Sequence, residues 1–420
     1  MARGLGFGLL ASACACLLDG TSIFNGAHAF ADDASDYTAL VMGHAFLPQP
    51  DATYMQEVIG TYVDPTTPYF AGQPTYNVVD PVSVYTPETD YGSGLTQGVG
   101  DLDQAIQDQL TANNPDLVVF GYSMSTAIET QEMINLAAEG NPDVDGLKFV
   151  LAENLQTPNG GFFTRFPDYA GANLPVTPAD TPYTTDIYSI EYSGASDFPQ
   201  YDGNFLADLN AADGYVDLHP YLLTDWPAYF TPSELAGAVA ENTSAADVNT
   251  DYYMIPTQDL PLLNDLRGAP GAESTFADLM QPDMRVLVDL GYNWTGDADV
   301  DTPATMSNPD VDMTAVDSYL AAGADQGVIA ALVDMGILPQ SDLPDLYPYV
   351  PDVAGLEAGA LTSSTSASDA LAALDASDSA SALASDLANS SSPLASELSA
   401  YLPGFATDLA DYFQSMASFL

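Results

Sequence analysis

Positive charge is nearly missing from this chain. Five Lys and Arg residues face 59 Asp and Glu, a formal net charge of −54 over 420 residues. A chain so poor in cations cannot grip phosphates, which excludes nucleic acid as a partner. Anionic lipid headgroups repel it for the same reason. Self-repulsion on this scale destabilises the compact state unless counter-ions screen it, so the acidity fits a cation-rich setting or serves solubility alone. Cysteine is scarce as well: Cys14 and Cys16 are the whole supply, both near the N-terminus. Histidine occurs three times, as His28, His44 and His219. Beyond the first residues no apolar run is long enough to span a bilayer. What the chain does have is 47% apolar residues, ample for a core.

The first 31 residues read as a secretory leader. Arg3 supplies the positive start, LGFGLLASACACLL at 5–18 the apolar centre, and Ala29-Phe30-Ala31 the small-x-small cleavage site. Cleavage near Ala31 removes both cysteines and His28. The mature chain then lacks disulfide and thiol chemistry, and its candidates for base catalysis near neutral pH narrow to His44 and His219. The expected location is secreted or cell-envelope associated. A lipid-anchoring cysteine is the lesser alternative, because Ala11 stands where such a signal carries a larger aliphatic residue.

From residue 38 the pattern alternates. TALVMG at 38–43 reads as a buried strand, TYMQEVIGTYV at 53–63 as a helix, and VSVYT at 82–86 as a strand. Val99, Leu102, Ile106 and Leu110 recur at helical spacing. A strand at 117–120, a helix to about Ala138 and a strand at 147–152 follow. A loop rich in Pro, Gly, Thr and aromatics fills 153–184. A strand at 186–192 and a short helix at 203–211 complete the run. Strands alternating with helices predict an α/β fold with a central, mostly parallel sheet covered on both faces. Residues 296–313 read as a linker and 314–336 as helical. From Leu361 an Ala/Ser/Asp-rich extension carries Leu383, Leu387, Leu394, Leu398 and Leu402, then Phe405, Leu409, Phe413, Met416 and Leu420, at helical spacing. Short amphipathic helices there could cover the main domain, self-associate, or associate peripherally with an envelope. The oligomeric state is not encoded in any feature of the sequence.

The chemistry centres on LVVFGYSMSTAIETQEM at 117–133. A serine between an apolar strand and a helix is either a helix cap or a nucleophile on a sharp turn. Gly121 and Ser125, two places either side of Ser123, are small, as a nucleophile elbow (Gly121, Tyr122, Ser123, Met124, Ser125) requires. A serine nucleophile needs a base, an acid that orients the base, and oxyanion donors. His219 is the one histidine downstream of Ser123. Asp197, in SGASDFPQY, fits the acid, with Asp202, Asp208, Asp213 and Asp217 competing. The expected oxyanion donors are the backbone N–H of Met124 and one at His44 or Ala45, while His44 could instead line the pocket. Phe162, Phe163, Phe166 and Tyr169 either wall an apolar acyl site or pack in the core. No cofactor is called for, and no metal site: DADVDTP at 297–303 and DVDMTAVD at 310–317 lack full calcium-loop spacing.

Several segments in order give the chain a wider resemblance. They are TALVMG with Pro48-Gln49-Pro50; VVFGYSMS; TPNGGFFTRFP at 157–167; SGASDFPQY at 193–201; LADLNAADGYVDLHPYL at 206–222; IPTQDLPLLNDLR at 255–267; and MRVLVDLGY at 284–292. Over about 37–295 the chain resembles the PE-PPE domain family, cutinase-like serine α/β-hydrolases of mycolic-acid bacteria. The resemblance implies a domain at 32–295 and a Ser–Asp–His triad matched by Ser123, Asp197 and His219. It also implies hydrolysis of acyl or lipid-like esters, or acyl transfer onto envelope glycolipids. Three features depart from the family pattern. Met124 stands where Gln is common, Gly43-His44-Ala45-Phe46 replaces a Gly-Gly-Thr-Gly loop, and a leader stands in place of the PE or PPE module. The altered loop keeps a third expectation open, a non-catalytic envelope-binding or structural protein with a degenerate site.

Overall fold

The computed structural model describes residues 35–340 except 141, 144, 170–172, 220–231, 248, 269–271, 308, 310 and 312. The expected leader at 1–31 and the expected helices of the extension beyond 340 therefore lie outside the described residues. The strands are β1 (Tyr37–Val41), β2 (Val78–Ser83), β3 (Leu117–Tyr122), β4 (Leu147–Ala152), β5 (Thr184–Ile190), β6 (Val239–Ala240) and β7 (Thr250–Ile255). The helices are α1 (Ala52–Val58), continued by a π-helical turn at Ile59–Val63, α2 (Ser93–Thr111) and α3 (Met124–Ala138). Then come α4 (Phe162–Arg165), α5 (Phe205–Asp217), α6 (Pro232–Ala236), α7 (Asn264–Arg267), α8 (Ala272–Asp289) and α9 (Met313–Asp334). No described helix is long and apolar enough to cross a membrane.

The sheet has the order β2-β1-β3-β4-β5-β7-β6, parallel throughout except for β6. This is the expected α/β architecture. Every residue of β1 and β3 is buried, as two-sided cover demands. Period-2 alternation divides β3 between two cores. Val118, Phe120 and Tyr122 face one core with Val58, Tyr62 and Tyr188. Leu117 and Val119 face the other with Leu102, Ile106 and Ile128 of α2 and α3. After β1 the chain runs outward to β2 and then returns to the opposite side of β1 for β3. That reversal makes the carboxyl ends of β1 and β3 the topological switch point, where open α/β sheets bind ligands.

Three details differ from the sequence reading. The second strand begins at Val78 rather than 82, because an edge strand with exposed residues and Pro81 carries little apolar signal. Residues 84–86 still bond onward, Val84 N–H to Val41 and Thr86 N–H to Pro48. The expected linker at 296–313 is stitched to the domain over 298–305. The N–H groups of Ala298, Thr302, Ala304 and Thr305 donate to the carbonyls of Asn242, Pro158, Arg165 and Gln200. Buried Arg165 reinforces the seam, binding the carbonyls of Phe198 and Thr302 and the Asn159 side chain. This strip satisfies backbone groups of the long loop that would otherwise be buried without partners. Past it, α9 packs along α8, so the folded unit continues beyond 295.

Candidate active site

Ser123 is the first residue past β3 and stands at φ 59, ψ −115, a conformation L-residues rarely adopt. Neighbouring groups hold it there. Ser123 N–H donates to Ala152 of β4 (3.1 Å), continuing the sheet ladder into the turn. Fully buried Ser125 clasps the turn from inside, its Oγ accepting from Tyr122 N–H (2.8 Å) and donating to the Tyr122 carbonyl (3.1 Å). Gly121 is required by space: a Cβ there would lie 2.2 Å from Glu129 Oε2 and 3.1 Å from the Ser125 carbonyl carbon. Such strain at a strand–turn–helix junction is how a nucleophile elbow projects its hydroxyl.

His219 arrives from α5. Asn204 caps that helix by accepting from Ala207 N–H, and its buried face is Ala207, Asn210, Ala211 and Gly214. At Gly214 the helix backbone presses onto the loop after β5; a Cβ would lie 2.0 Å from the Tyr192 carbonyl oxygen. This close seating delivers the imidazole. Its Nε2 lies 2.7 Å from Ser123 Oγ. Tyr122 hydroxyl donates to the His219 carbonyl, and the Tyr215 ring stacks on the imidazole at 5.1 Å and 14°.

The carboxylate beside His219 is where the sequence reading departs from the structure. Asp197 does not reach His219. The partner of His219 Nδ1 is Glu153 Oε2, at 3.0 Å. Glu153 is the first residue past β4, at φ 53, and is fully buried. Its carboxylate is held by four donors. Oε1 accepts from Ile190 N–H (2.9 Å) and Ser196 Oγ (2.5 Å); Oε2 accepts from Ser193 Oγ and from His219. A carboxylate at Nδ1 makes that nitrogen the N–H and leaves Nε2 free to accept the Ser123 proton.

Asp197 instead braces the turn that holds Glu153. Its carboxylate accepts from Tyr192 N–H (2.9 Å) and from Trp294 Nε1–H (3.0 Å), and its own N–H donates to Ser193 (2.9 Å). Burial pushes the Asp197 carboxyl up to about 7 against the pull of those hydrogen bonds. Of the competing aspartates, Asp217 accepts from Asn264 Nδ2 (2.9 Å).

Met124 opens α3, where the first N–H groups lack intrahelical acceptors, so its N–H is available to a developing oxyanion. In the loop after β1, Phe46 N–H is engaged with the Glu88 carbonyl and Leu47 N–H with that of His44. His44 and Ala45 remain the candidates for the second donor. The His44 ring packs against Tyr122 (5.6 Å) and Tyr54 (6.0 Å), and its Nδ1 lies 2.9 Å from the Ala45 carbonyl. Burial lowers the pKa of His44 against the pull of its bond to the Ala45 carbonyl, and the nearby His219 adds to the lowering. The aromatics of the long loop pack largely on one another: Phe162 meets Phe163, Phe166, Tyr169 and Phe198, and Phe163 meets Tyr91. Among the described residues, no group of three or more His, Cys, Asp or Glu is placed to hold a metal.

Comparison with known proteins places the chain in a family. The PE-PPE domain model matches residues 67–293. The chain is 41% identical over 334 residues to PE family protein PE3 of Mycobacterium tuberculosis, covering 75% of this chain and 67% of that protein. It is 37% identical over 296 residues to the same organism's "Esterase PE16", covering 68% of this chain and 54% of that protein. A more distant relative there, "Diacyltrehalose acyltransferase Chp2", is 29% identical over 222 residues, 48% of this chain and 58% of the other. The chain thus spans about half to two thirds of these relatives. Among solved structures, a cutinase-like protein from Cryptococcus sp. aligns at 20% identity with a TM-score of 0.26, over 39% of this chain and 79% of that one.

Proposed function

Because this chain belongs to the PE-PPE domain family, we propose that it is a serine esterase acting on acyl esters, with Ser123 as nucleophile, His219 as base and Glu153 as the orienting acid. The observation that carries this reading is the unbroken line of contacts from Ser123 Oγ through His219 to Glu153. His219 Nε2 takes the Ser123 proton as Oγ attacks the ester carbonyl. Glu153 stabilises the imidazolium, and the Met124 N–H with a loop donor meets the oxyanion. The tetrahedral species collapses as the imidazolium returns its proton to the leaving alcohol. Water, deprotonated by the same imidazole, then attacks the acyl-serine, and collapse frees the acid and restores Ser123. The leader-like N-terminus supports action outside the cytoplasm. Labelling by a fluorophosphonate tests the reading: an adduct at Ser123 by peptide mass spectrometry supports it, and an unlabelled Ser123 favours the non-catalytic alternative.

A second reading gives the acyl-enzyme a different acceptor, a glycolipid hydroxyl instead of water. It is favoured by the relative named as an acyltransferase. Both reactions share the acyl-serine, so product analysis with a glycolipid acceptor separates them.

A further inference from the structure

The α5 helix, which leads into His219, has an apolar outer face. At 100° per residue, Phe205, Leu209, Ala212 and Val216 fall within about 60° of one another, opposite the face that packs on the domain. All four are exposed, Phe205 by 67% and Val216 by 63%. The stripe is about 16 Å long. Met306, 73% exposed, follows Thr305, whose strip runs beside Tyr201 at the N-terminal end of α5. At the other end the stripe meets the site: Val216 adjoins Tyr215, which is half-exposed and stacked on His219. Phe46, 84% exposed, stands on the loop beside the nucleophile. A hydrophobic contour therefore runs from α5 to the mouth of the site in a chain with net charge −54. Exposed patches of this kind mark contact surfaces.

We propose that this contour is a docking surface for an uncharged or zwitterionic lipid layer, on which α5 lies flat and presents Ser123 to esters held in the layer. The proposal rests on the esterase reading and adds where the substrate resides. Charge decides the kind of layer. The α5 helix contains no Lys or Arg, and Asp208, Asp213 and Asp217 flank the stripe, so an anionic surface repels it. The same charge opposes the other occupants. A second copy brings an equal acidic surface, and the chain's own segment 341–420 carries many Asp and Glu and no Lys or Arg.

The test uses the full chain, vesicles of pure phosphatidylcholine, and vesicles with one third phosphatidylglycerol. The wild-type protein is expected to float with the first and much less with the second. The Phe205→Ser and Leu209→Ser changes should each lower the partition coefficient by roughly tenfold. The double variant should keep its kcat/KM on a water-soluble short-chain ester and lose activity on the same ester group held in vesicles. Equal flotation of wild type and double variant overturns the proposal, and so does preference for the anionic vesicles. A wild-type dimer that the double variant converts to monomer would assign the face to a second copy. A photo-crosslinker placed at 209 that reacts with 341–420 would assign it to the chain's own extension. Fluorophosphonate labelling separates the two readings: vesicle binding without labelling of Ser123 sinks the esterase and leaves the surface, and labelling without vesicle binding does the reverse.

Discussion

Ser123 and Glu153 come together because of where each stands on its strand. They are the first residues past β3 and β4, adjacent parallel strands whose last residues, Tyr122 and Ala152, are paired. Both leave the sheet at positive φ, so their side chains turn toward the shared carboxyl edge where His219 lies. On this account Ser123→Ala lowers kcat on the order of 10⁶-fold. Fluorophosphonate labelling and an unchanged thermal melt of the variant check that the loss is chemical. Ser123 and His219 are legible in the sequence, one from a small-x-Ser-x-small turn after an apolar strand, the other from the scarcity of histidine. Glu153 is not. Chain order directs the search for the acid to the stretch beyond the last recognised strand, where aspartates crowd. The deciding fact is sheet order, which residue types do not display. The one trace in the sequence is a carboxylate directly behind LKFVLA, at the end of a buried strand where burial demands partners.

Elements carry the next level of specification. Alternation of apolar strands and 3.6-period helices makes β1, α2, β3, α3 and β4 readable. The strand Thr250–Ile255 escapes because its tyrosines and acid give no clean alternation, although all six residues are buried. The stitched strip at 298–305 escapes because its Asp, Pro and Thr composition is that of a free linker; only its backbone bonds show otherwise. The packing of α8 on the sheet depends on Arg285, a scarce cation fully enclosed. It pairs with Glu191 at 2.6 Å, donates to the Thr257 carbonyl at 2.9 Å and lies over the Tyr192 ring. Changing Arg285 to Met removes the guanidinium that faces buried Glu191, and should cost about 3–5 kcal/mol in urea unfolding. Gly121→Ala forces the new methyl against Glu129 and the Ser125 backbone; about 1–3 kcal/mol is the expected cost, together with a loss of activity larger than the melt alone explains.

For the whole molecule, acidity extends inward. Burial raises Asp283 and Asp186 to about 8, and Asp289 and Glu88 to about 7. Burial also raises Glu129 well above the usual carboxylate range, with nearby Glu88 adding to it. Among the described residues no donor reaches either oxygen of Glu129 or of Asp283. Between the unfolded value of 3.8 and about 8 the folded Asp283 holds more proton than the unfolded chain, so stability falls as pH rises through that window. Surface repulsion grows in the same direction as the other carboxyls ionise. The melting temperature should therefore be higher at pH 5 than at pH 8. Salt at pH 8 should recover only the surface share of the difference. Asp283→Asn should flatten the slope. A melting temperature that rises from pH 5 to pH 8 would contradict this account of the buried acids.

The identity of the acid beneath His219 is the claim on which the catalytic account turns. The direct measurement is kcat on a soluble ester for Glu153→Gln beside Asp197→Asn, each with its thermal melt. The expected result is a loss on the order of 10⁴ for Glu153→Gln, while Asp197→Asn stays within about tenfold of wild type and melts earlier. A catalytic collapse confined to Asp197→Asn, with Glu153→Gln near wild type, would contradict it.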